Sequence, residues 1–194
     1  MIIVKSRDVD IRKGLHYTLL KDHKNDPDTL VLDEMTICQG DARIDVAVIN
    51  GKINGFEIKS ESDTLERLPR QVDLYNMVFD TVTIVTGPRY IDGILDLIPD
   101  WWGIIKTEMD SDRQVYFYTI REAQNNYNSD PLAIAQLLWR NEALEILKEK
   151  GLHKGLLSKP RRVLWQALAE KLSIDELKDE VRKKLKNRSN WRGH

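Results

Sequence analysis

Charged residues interrupt two apolar segments that otherwise read as neighbouring β-strands, in the stretch DARIDVAVINGKINGFEIK at residues 41–59. The dipeptide Asn50-Gly51 between the segments predicts a tight turn, so the two segments together predict a β-hairpin. Asp45 lies in the first strand, and Glu57 and Lys59 lie in the second. Because charged side chains are rare in strands and unfavourable on a buried face, these three residues require a common explanation.

The length of the turn decides whether the three charges share a face of the hairpin. Glu57 and Lys59 are two residues apart on one strand, so their side chains share a face. A loop of only Asn50 and Gly51 would direct Asp45 to the opposite face, whereas an odd loop or a β-bulge places it beside Glu57. We predict the odd loop or the bulge, for example a three-residue turn with Gly51 in the left-handed conformation.

The electrostatics of such a cluster favour a bound cation. Two carboxylates about 4 Å apart repel each other by roughly 4 kcal/mol at an effective dielectric constant near 20, and a single lysine offsets only part of that repulsion. Hard oxygen ligands suit Mg²⁺ or Mn²⁺, which retain water and bind phosphate oxygens. The hairpin therefore predicts, in outline, a metal-dependent phosphoryl-transfer site.

The same residues resemble a known nuclease motif. Asp45 followed by Glu57-Ile58-Lys59, with a hairpin between them, is similar to the signature of the PD-(D/E)XK nuclease superfamily. The downstream segment QVDLY, which begins at Gln71 and ends at Tyr75, resembles the Gln-x-x-x-Tyr motif of its RecB-like members. The resemblance covers roughly residues 7–120. It implies an α/β, restriction-endonuclease-like fold with an αβββαβ core, in which helices flank a mixed sheet.

The resemblance also implies roles for individual residues. Asp45 and Glu57 would hold one or two Mg²⁺ or Mn²⁺ ions, together with the carbonyl group of Ile58. Lys59 would orient the attacking water or help to deprotonate it. Gln71 would help to position the substrate or a metal-bound water, and the alternative is an ordinary glutamine on a helix surface.

Further candidates flank the hairpin. By analogy with the superfamily, which often adds an acidic ligand from the elements before the hairpin, Glu34 is the candidate third metal ligand. Asp33 is the alternative, because strand alternation allows only one of them to face the site; the other interpretation is a strand-end carboxylate in solvent. Arg43 binds phosphate or pairs with a carboxylate, and we favour the pairing. Arg70 and Tyr75 complete the candidate nucleic-acid contacts here, although Tyr75 is expected mainly to pack in the core with its hydroxyl turned toward a polar partner.

The C-terminal third is basic and predicts helices. We expect a nuclease-like core at residues 1–125 and a basic helical extension at residues 126–194. Helices are predicted from Asp130-Pro131 to Gly151, from Pro160, and from Ser173, and fraying is predicted over residues 187–194. The end of the last helix carries five basic residues that are candidate phosphate contacts, or else a solvated helix end: Arg182, Lys183, Lys184, Lys186 and Arg188.

Composition limits the partners of the chain. Its 194 residues include one cysteine, which excludes an internal disulfide framework, and no apolar run predicts a signal peptide or a membrane span. We therefore expect a cytoplasmic protein with no membrane partner. No G-x-x-x-x-G-K-[ST] motif occurs, so any helicase or repair partner would be a separate chain. A homodimer is one way to cut both strands of a duplex.

The function predicted from the sequence is hydrolysis of phosphodiester bonds in DNA by a metal-dependent nuclease, in repair, recombination or the DNA processing of mobile elements and phages. The alternative is a catalytically dormant module of the same fold that binds nucleic acid or a partner protein. A third interpretation, a helical regulator, rests only on the run LAEKLSIDEL, which resembles a helix-turn-helix. It is disfavoured because acidic residues begin the would-be recognition helix and would repel phosphates.

Overall fold

One six-stranded mixed sheet, with its strands in chain order, forms the centre of the protein. The computed structural model describes residues 5–188 and residue 191, so most of the segment predicted to fray lies outside the described residues. The strands are β1 (Leu30–Ile37), β2 (Ala42–Ile49), β3 (Ile53–Lys59), β4 (Thr81–Thr86), β5 (Gly103–Met109) and β6 (Val115–Arg121). Strand β4 is parallel to β3 and to β5, whereas the other neighbouring strands are antiparallel.

Helices flank this sheet on both faces. They are α1 (Asp8–Tyr17), α2 (Lys21–Asn25), α3 (Leu68–Val78), α4 (Ile91–Leu95), α5 (Pro131–Ala135), α6 (Arg140–Glu149), α7 (Arg161–Lys171) and α8 (Ile174–Lys186), with short 3₁₀ turns at Cys38–Gly40 and Pro88–Tyr90. The predicted α/β class, with a mixed sheet flanked by helices, is confirmed. No helix within the described residues is long and apolar enough to cross a membrane.

The two faces of the sheet carry different layers. Helix α1 packs Ile11 against Ile58 and Val85 on one face. Helix α3 and the C-terminal helices share a larger hydrophobic cluster with the other face. Helix α8 is joined to the sheet by Asp80, whose carboxylate accepts a hydrogen bond from Ile53 N and pairs with Lys178 at 2.7 Å. The division of the chain at residues 125 and 126 stays a prediction.

The β2–β3 hairpin has the predicted odd loop. Ile49 pairs with Ile53, so residues 50–52 form a three-residue connection. The side chain of Asn50 closes this loop by accepting a hydrogen bond from Lys52 N at 3.1 Å. Gly51 does not adopt the left-handed conformation expected for such a turn. The register continues from Val46 opposite Phe56, so that Asp45 falls opposite Glu57.

The predicted helix from Asp130-Pro131 to Gly151 is interrupted. It forms as α5 and α6, and the connection between them spans residues 136–139. Helix α6 begins anew because the Glu142 side chain accepts a hydrogen bond from Trp139 N at 2.7 Å, which caps the new first turn. The capping box predicted at Ser173 is present at the start of α8.

Candidate active site

A cleft of about 800 Å³ lies beside strands β2 and β3 and the first half of α3. Asp45, Glu57, Lys59 and Gln71 all line it. Strand β3 supplies Glu57 and Lys59, because alternation along the strand directs both side chains to the face that α3 covers. The intervening Ile58 and the preceding Phe56 pack toward α1 on the other face. Exposed basic side chains on the rim of the cleft are Arg43, Arg67 and Arg70. The cleft thus combines carboxylates on its wall with cations at its edge.

Glu57 is the centre of a buried hydrogen-bond network. Lys59 Nζ donates to Glu57 Oε1 at 2.6 Å and to Gln71 Oε1 at 2.9 Å. Gln71 Nε2 in turn donates to Glu57 Oε1 at 2.7 Å. The ion pair is almost fully buried, with 5% of the Lys59 side chain and 3% of the Glu57 side chain exposed. Gln71 is therefore part of the site and not an isolated glutamine on the helix surface.

Tyr75 supports this network from behind. Its side chain is fully buried, and its hydroxyl lies 2.7 Å from Glu57 Oε2 and 2.8 Å from the carbonyl oxygen of Arg43. Burial, followed by the negative charge of Glu57, raises the pKa of Tyr75 above its ordinary value. A side chain with no exposed surface cannot contact DNA directly, so the predicted nucleic-acid contact at Tyr75 is corrected to a positioning role.

Asp45 joins the site from strand β2. Its Oδ2 accepts a hydrogen bond from Ile58 N at 2.7 Å, which satisfies a backbone donor of β3. Burial, and next the nearby charge of Glu57, raise the pKa of Asp45 from 3.8 to about 7. The hydrogen bond from Ile58 N and the charge of Arg12 act on the pKa of Asp45 in the opposite direction.

Arg12 on helix α1 is a site residue that the sequence analysis missed. Its Nη2 lies 3.0 Å from Asp45 Oδ1 and 3.1 Å from Asp8 Oδ1, and its Nη1 pairs with Glu34. The only signal in the sequence is the spacing of Asp8 and Arg12 by four residues on a helix, which is common on ordinary helix surfaces. One guanidinium thus neutralises carboxylates from α1, β1 and β2.

Glu34 occupies an irregular point of strand β1. The flanking residue pairs place Glu34 opposite Asp45, and Glu34 has a φ of 60°, a left-handed conformation that non-glycine residues rarely adopt. Its carboxylate bridges Arg12 and Arg43, with Arg43 Nε at 2.5 Å from Oε2. Arg43 thus makes the carboxylate pairing that we favoured.

The irregularity of β1 at Glu34 also decides which of Glu34 and Asp33 faces the cleft. Leu30 and Leu32 face the large core before it, whereas Met35 and Ile37 face the same core after it, so the alternation of β1 skips one residue at Glu34. Glu34 lines the cleft, whereas Asp33 pairs with His16 at 2.6 Å. Of these two residues, only Glu34 lies beside Asp45.

The oxygen donors of the site are of the kind that hard cations prefer. Among residues 5–188 and 191, no three His, Cys, Asp or Glu side chains converge as a ready-made metal group. Asp45 and Glu57 supply carboxylate oxygens on one wall, and the backbone of Ile58 lines the same cleft. Burial and the charge of Glu57 disfavour the ionised form of Asp45, and a bound cation would offset the repulsion between the two carboxylates.

The basic end of α8 is placed apart from the cleft, and most of its charges are engaged. Lys184 Nζ lies 3.2 Å from both Glu145 and Glu149, and Lys186 donates to the carbonyl oxygen of Asp28. Arg182 pairs with Asp179 and Asp80, and Lys183, the most exposed of the set, pairs with Glu180. Phosphate contact at these four residues stays a prediction.

Arg188 requires a correction. Only 6% of its side chain is exposed, and its Nη2 lies 2.5 Å from Glu142 Oε2. The guanidinium also stacks on Trp139 and Trp191, at 4.5 and 4.8 Å from the ring centres. These contacts make Arg188 a residue of the core at the helix end, and they leave it little surface for a phosphate.

Comparison with known proteins shows the family of the chain. The sequence model of the family described as bacteriophage P4 protein cII matches residues 6–192, and this chain therefore belongs to that family. Protein cII of Enterobacteria phage P4 is 26% identical over 161 residues, which cover 83% of this chain and 60% of that relative. The chain thus spans less than two thirds of the relative's length.

A solved structure also shows a limited likeness. It is a protein of unknown function from Silicibacter pomeroyi that is 17% identical to this chain, with a TM-score of 0.44. The match covers 77% of this chain and 94% of that chain.

Proposed function

We propose that this chain is a metal-dependent deoxyribonuclease with a restriction-endonuclease-like core, related to the PD-(D/E)XK superfamily. One observation carries the proposal: Asp45, Glu57, Lys59 and Gln71, which resemble the motif residues, line one cleft and lie in or beside one buried network. Apart from the short helix α2, the order of the first elements is a helix, three antiparallel strands, a helix and a strand parallel to the third, which supports the same core.

The chemistry assigned to each residue follows from its contacts. Asp45 and Glu57, with the carbonyl group of Ile58, would hold Mg²⁺ or Mn²⁺, which when bound lowers the pKa of a coordinated water and neutralises phosphate charge. Lys59 uses two of its three N–H groups on Glu57 and Gln71, and the third remains to orient the attacking water or a phosphate oxygen. The arginines of the rim would attract the DNA backbone toward the cleft.

Arg12 gives a specific reason to keep the dormant module as a second candidate. Its guanidinium contacts Asp45 and Glu34, so an internal cation lies where part of the charge of a metal would be needed. In this alternative the cleft binds DNA or a partner protein without cutting it. A homodimer and a separate helicase or repair partner remain predictions in both cases.

The decisive experiment is a cleavage assay on supercoiled plasmid, linear duplex, single-stranded and four-way-junction DNA, with Mg²⁺, Mn²⁺ or EDTA. Asp45→Asn is the informative variant because it removes the charge of Asp45 and keeps the shape of its side chain. Urea unfolding of the same variant separates a loss of chemistry from a loss of folding, since Asp45 also contacts Arg12 and Ile58 N. The matched control is Asp73→Asn, which changes an exposed aspartate on α3 outside the cleft.

The proposal expects cleavage by the wild type and the control in the presence of metal, and none by Asp45→Asn or in EDTA. Cleavage by Asp45→Asn at the wild-type rate would contradict the site assignment. If the wild type binds DNA but cuts no substrate with either metal, the dormant module is the correct description.

A further inference from the structure

A second basic surface, separate from both the cleft and the end of α8, is formed by the connection from α6 to α7 and the first residues of α7. We call residues 153–162 the basic loop. The chain has no acidic residue between Glu149 and Glu170. The exposed cations of the basic loop, none of which takes part in an ion pair with another described residue, are Lys154, Lys159, Arg161 and Arg162. Its charge is therefore uncompensated, in contrast to the end of α8.

The basic loop is held in a defined shape. Gly155 has a φ of 76°, in the left-handed region that glycine adopts without strain. Arg140 Nη2 donates to the carbonyl oxygen of Leu157 at 2.8 Å, and its Nε donates to that of Lys159 at 3.1 Å. Because these acceptors are neutral, the charge of Arg140 adds to the positive potential of the loop. Because the loop is already ordered, it would lose less conformational entropy when it binds a ligand.

Charge complementarity identifies the ligand of this surface. Lysine and arginine side chains that lack carboxylate partners can neutralise phosphates, and each neutralised phosphate releases cations that were condensed on the nucleic acid, which favours binding. We propose that the basic loop binds the sugar–phosphate backbone of duplex DNA, independently of sequence. The choice of DNA rests on the proposed function, because the cleft is assigned to phosphodiester chemistry.

The test is binding of a fluorescent 30-base-pair duplex, measured by anisotropy in EDTA so that no cleavage takes place. The variant carries Lys154→Gln, Lys159→Gln and Arg162→Gln, and it leaves Arg161 in place because its guanidinium stacks on Trp165 at 5.2 Å. The matched control carries Lys13→Gln, Lys21→Gln and Lys24→Gln, which remove the same charge from exposed positions in α1 and α2.

The basic-loop variant should bind the duplex at least about tenfold more weakly than the control near 0.1 M salt. Its plot of log affinity against log salt should also be less steep, by about 0.9 for each phosphate that the variant no longer neutralises. Equal affinities and equal slopes for the two variants would overturn the inference, as would a wild type that binds no duplex at low salt.

This result is separable from the cleavage assay. Weakened binding by the basic-loop variant, together with no cleavage by the wild type, supports the inference and rejects the nuclease. Cleavage by the wild type, together with unchanged binding by the basic-loop variant, rejects the inference and leaves the nuclease standing.

Discussion

Arg12 Nη2 lies 3.0 Å from Asp45 Oδ1, although Arg12 belongs to a helix that covers the face of the sheet opposite to Tyr75 and Gln71. The contact is made at the point where β1 is irregular, beside Glu34. The Arg12 guanidinium, which also pairs with Glu34, thus connects the two faces of the sheet. Only 18% of the Arg12 side chain and 20% of the Asp45 side chain are exposed, so the pair is weakly screened by solvent.

Arg12→Ala should destabilise the protein and create a dependence on divalent cations. Loss of the guanidinium leaves Asp45, Glu34 and Asp8 without their shared counterion, which should lower the free energy of unfolding by about 1–3 kcal/mol. Millimolar Mg²⁺ should restore part of this loss, because a cation that binds only the folded state stabilises it.

The measurement is urea unfolding at pH 8 with and without Mg²⁺. The control is Arg7→Ala, whose side chain is 66% exposed and pairs with Asp10 on the same helix turn. An Arg12→Ala protein with no greater response to Mg²⁺ than this control would count against a cation site at Asp45.

Asp45→Asn should make stability less dependent on pH. The pKa of Asp45 is about 7 in the folded protein and near 3.8 without its environment. Between these values the folded state retains a proton that the unfolded chain has released, so this carboxyl contributes stability below about pH 4, and the contribution is lost as pH rises through about 7. The asparagine variant should thus gain about 2–4 kcal/mol relative to the wild type between pH 4 and pH 8.

Urea unfolding of both proteins at five pH values checks this prediction, with Asp73→Asn as the exposed control. A constant difference between wild type and Asp45→Asn across the pH range would mean that the carboxyl has an ordinary pKa.

The hairpin was predictable because its two determinants are local. The alternation of apolar residues sets the faces, and the joint presence of Asp45, Glu57 and Lys59 requires an odd connection, which the pairing of Ile49 with Ile53 confirms. The conformation of Gly51 was not predictable in the same way. In the structure Asn50 Oδ1 accepts a hydrogen bond from Lys52 N across the loop, and Gly51 is not left-handed.

The sequence could not predict that Arg12 contacts the site or that Glu34 faces the cleft, and the reason is physical. Period-two alternation assumes an unbroken strand, whereas the left-handed Glu34 shifts the faces of β1 by one residue. With this shift, the carboxylate of Glu34 contacts Arg12, which belongs to helix α1 on the opposite face of the sheet. The alternation of residues along one strand therefore cannot predict a contact that depends on an irregularity of that strand.

The basic end of α8 shows a related limit. Counting charges along the chain identified a cationic segment, but the neutralising carboxylates come from distant positions. Lys184 meets Glu145 and Glu149 on α6, and Arg188 meets Glu142. Net charge within one segment therefore overestimated the charge that remains free in the folded protein.

Tyr75→Phe should be destabilising although it preserves the shape of the core. The change removes the hydroxyl that lies 2.7 Å from Glu57 Oε2 and 2.8 Å from the carbonyl oxygen of Arg43, so the single proton that it can donate is lost from a buried place. The expected loss is about 1–3 kcal/mol in the free energy of unfolding. In the control Tyr116→Phe, the lost partner is the carboxylate of Asp110, near solvent, so its effect should stay below about 0.5 kcal/mol. Equal effects of the two substitutions in urea unfolding would show that the hydroxyl of Tyr75 is not a support of Glu57.

Glu34→Gly should be more stable than Glu34→Ala, which reverses the usual order of these residues in a strand. Both substitutions remove the carboxylate that bridges Arg12 and Arg43, so the comparison cancels the lost ion pairs. Alanine retains the strain of a φ of 60°, whereas glycine adopts this conformation freely. Glycine should therefore be favoured by about 1 kcal/mol in thermal or urea unfolding, although in a regular strand it costs roughly 0.5–1 kcal/mol relative to alanine.

The control is Thr36, an exposed position of the same strand, where alanine should be more stable than glycine. If alanine is the more stable residue at both positions, Glu34 is not strained, and the irregularity of β1 must arise from the contacts of its carboxylate.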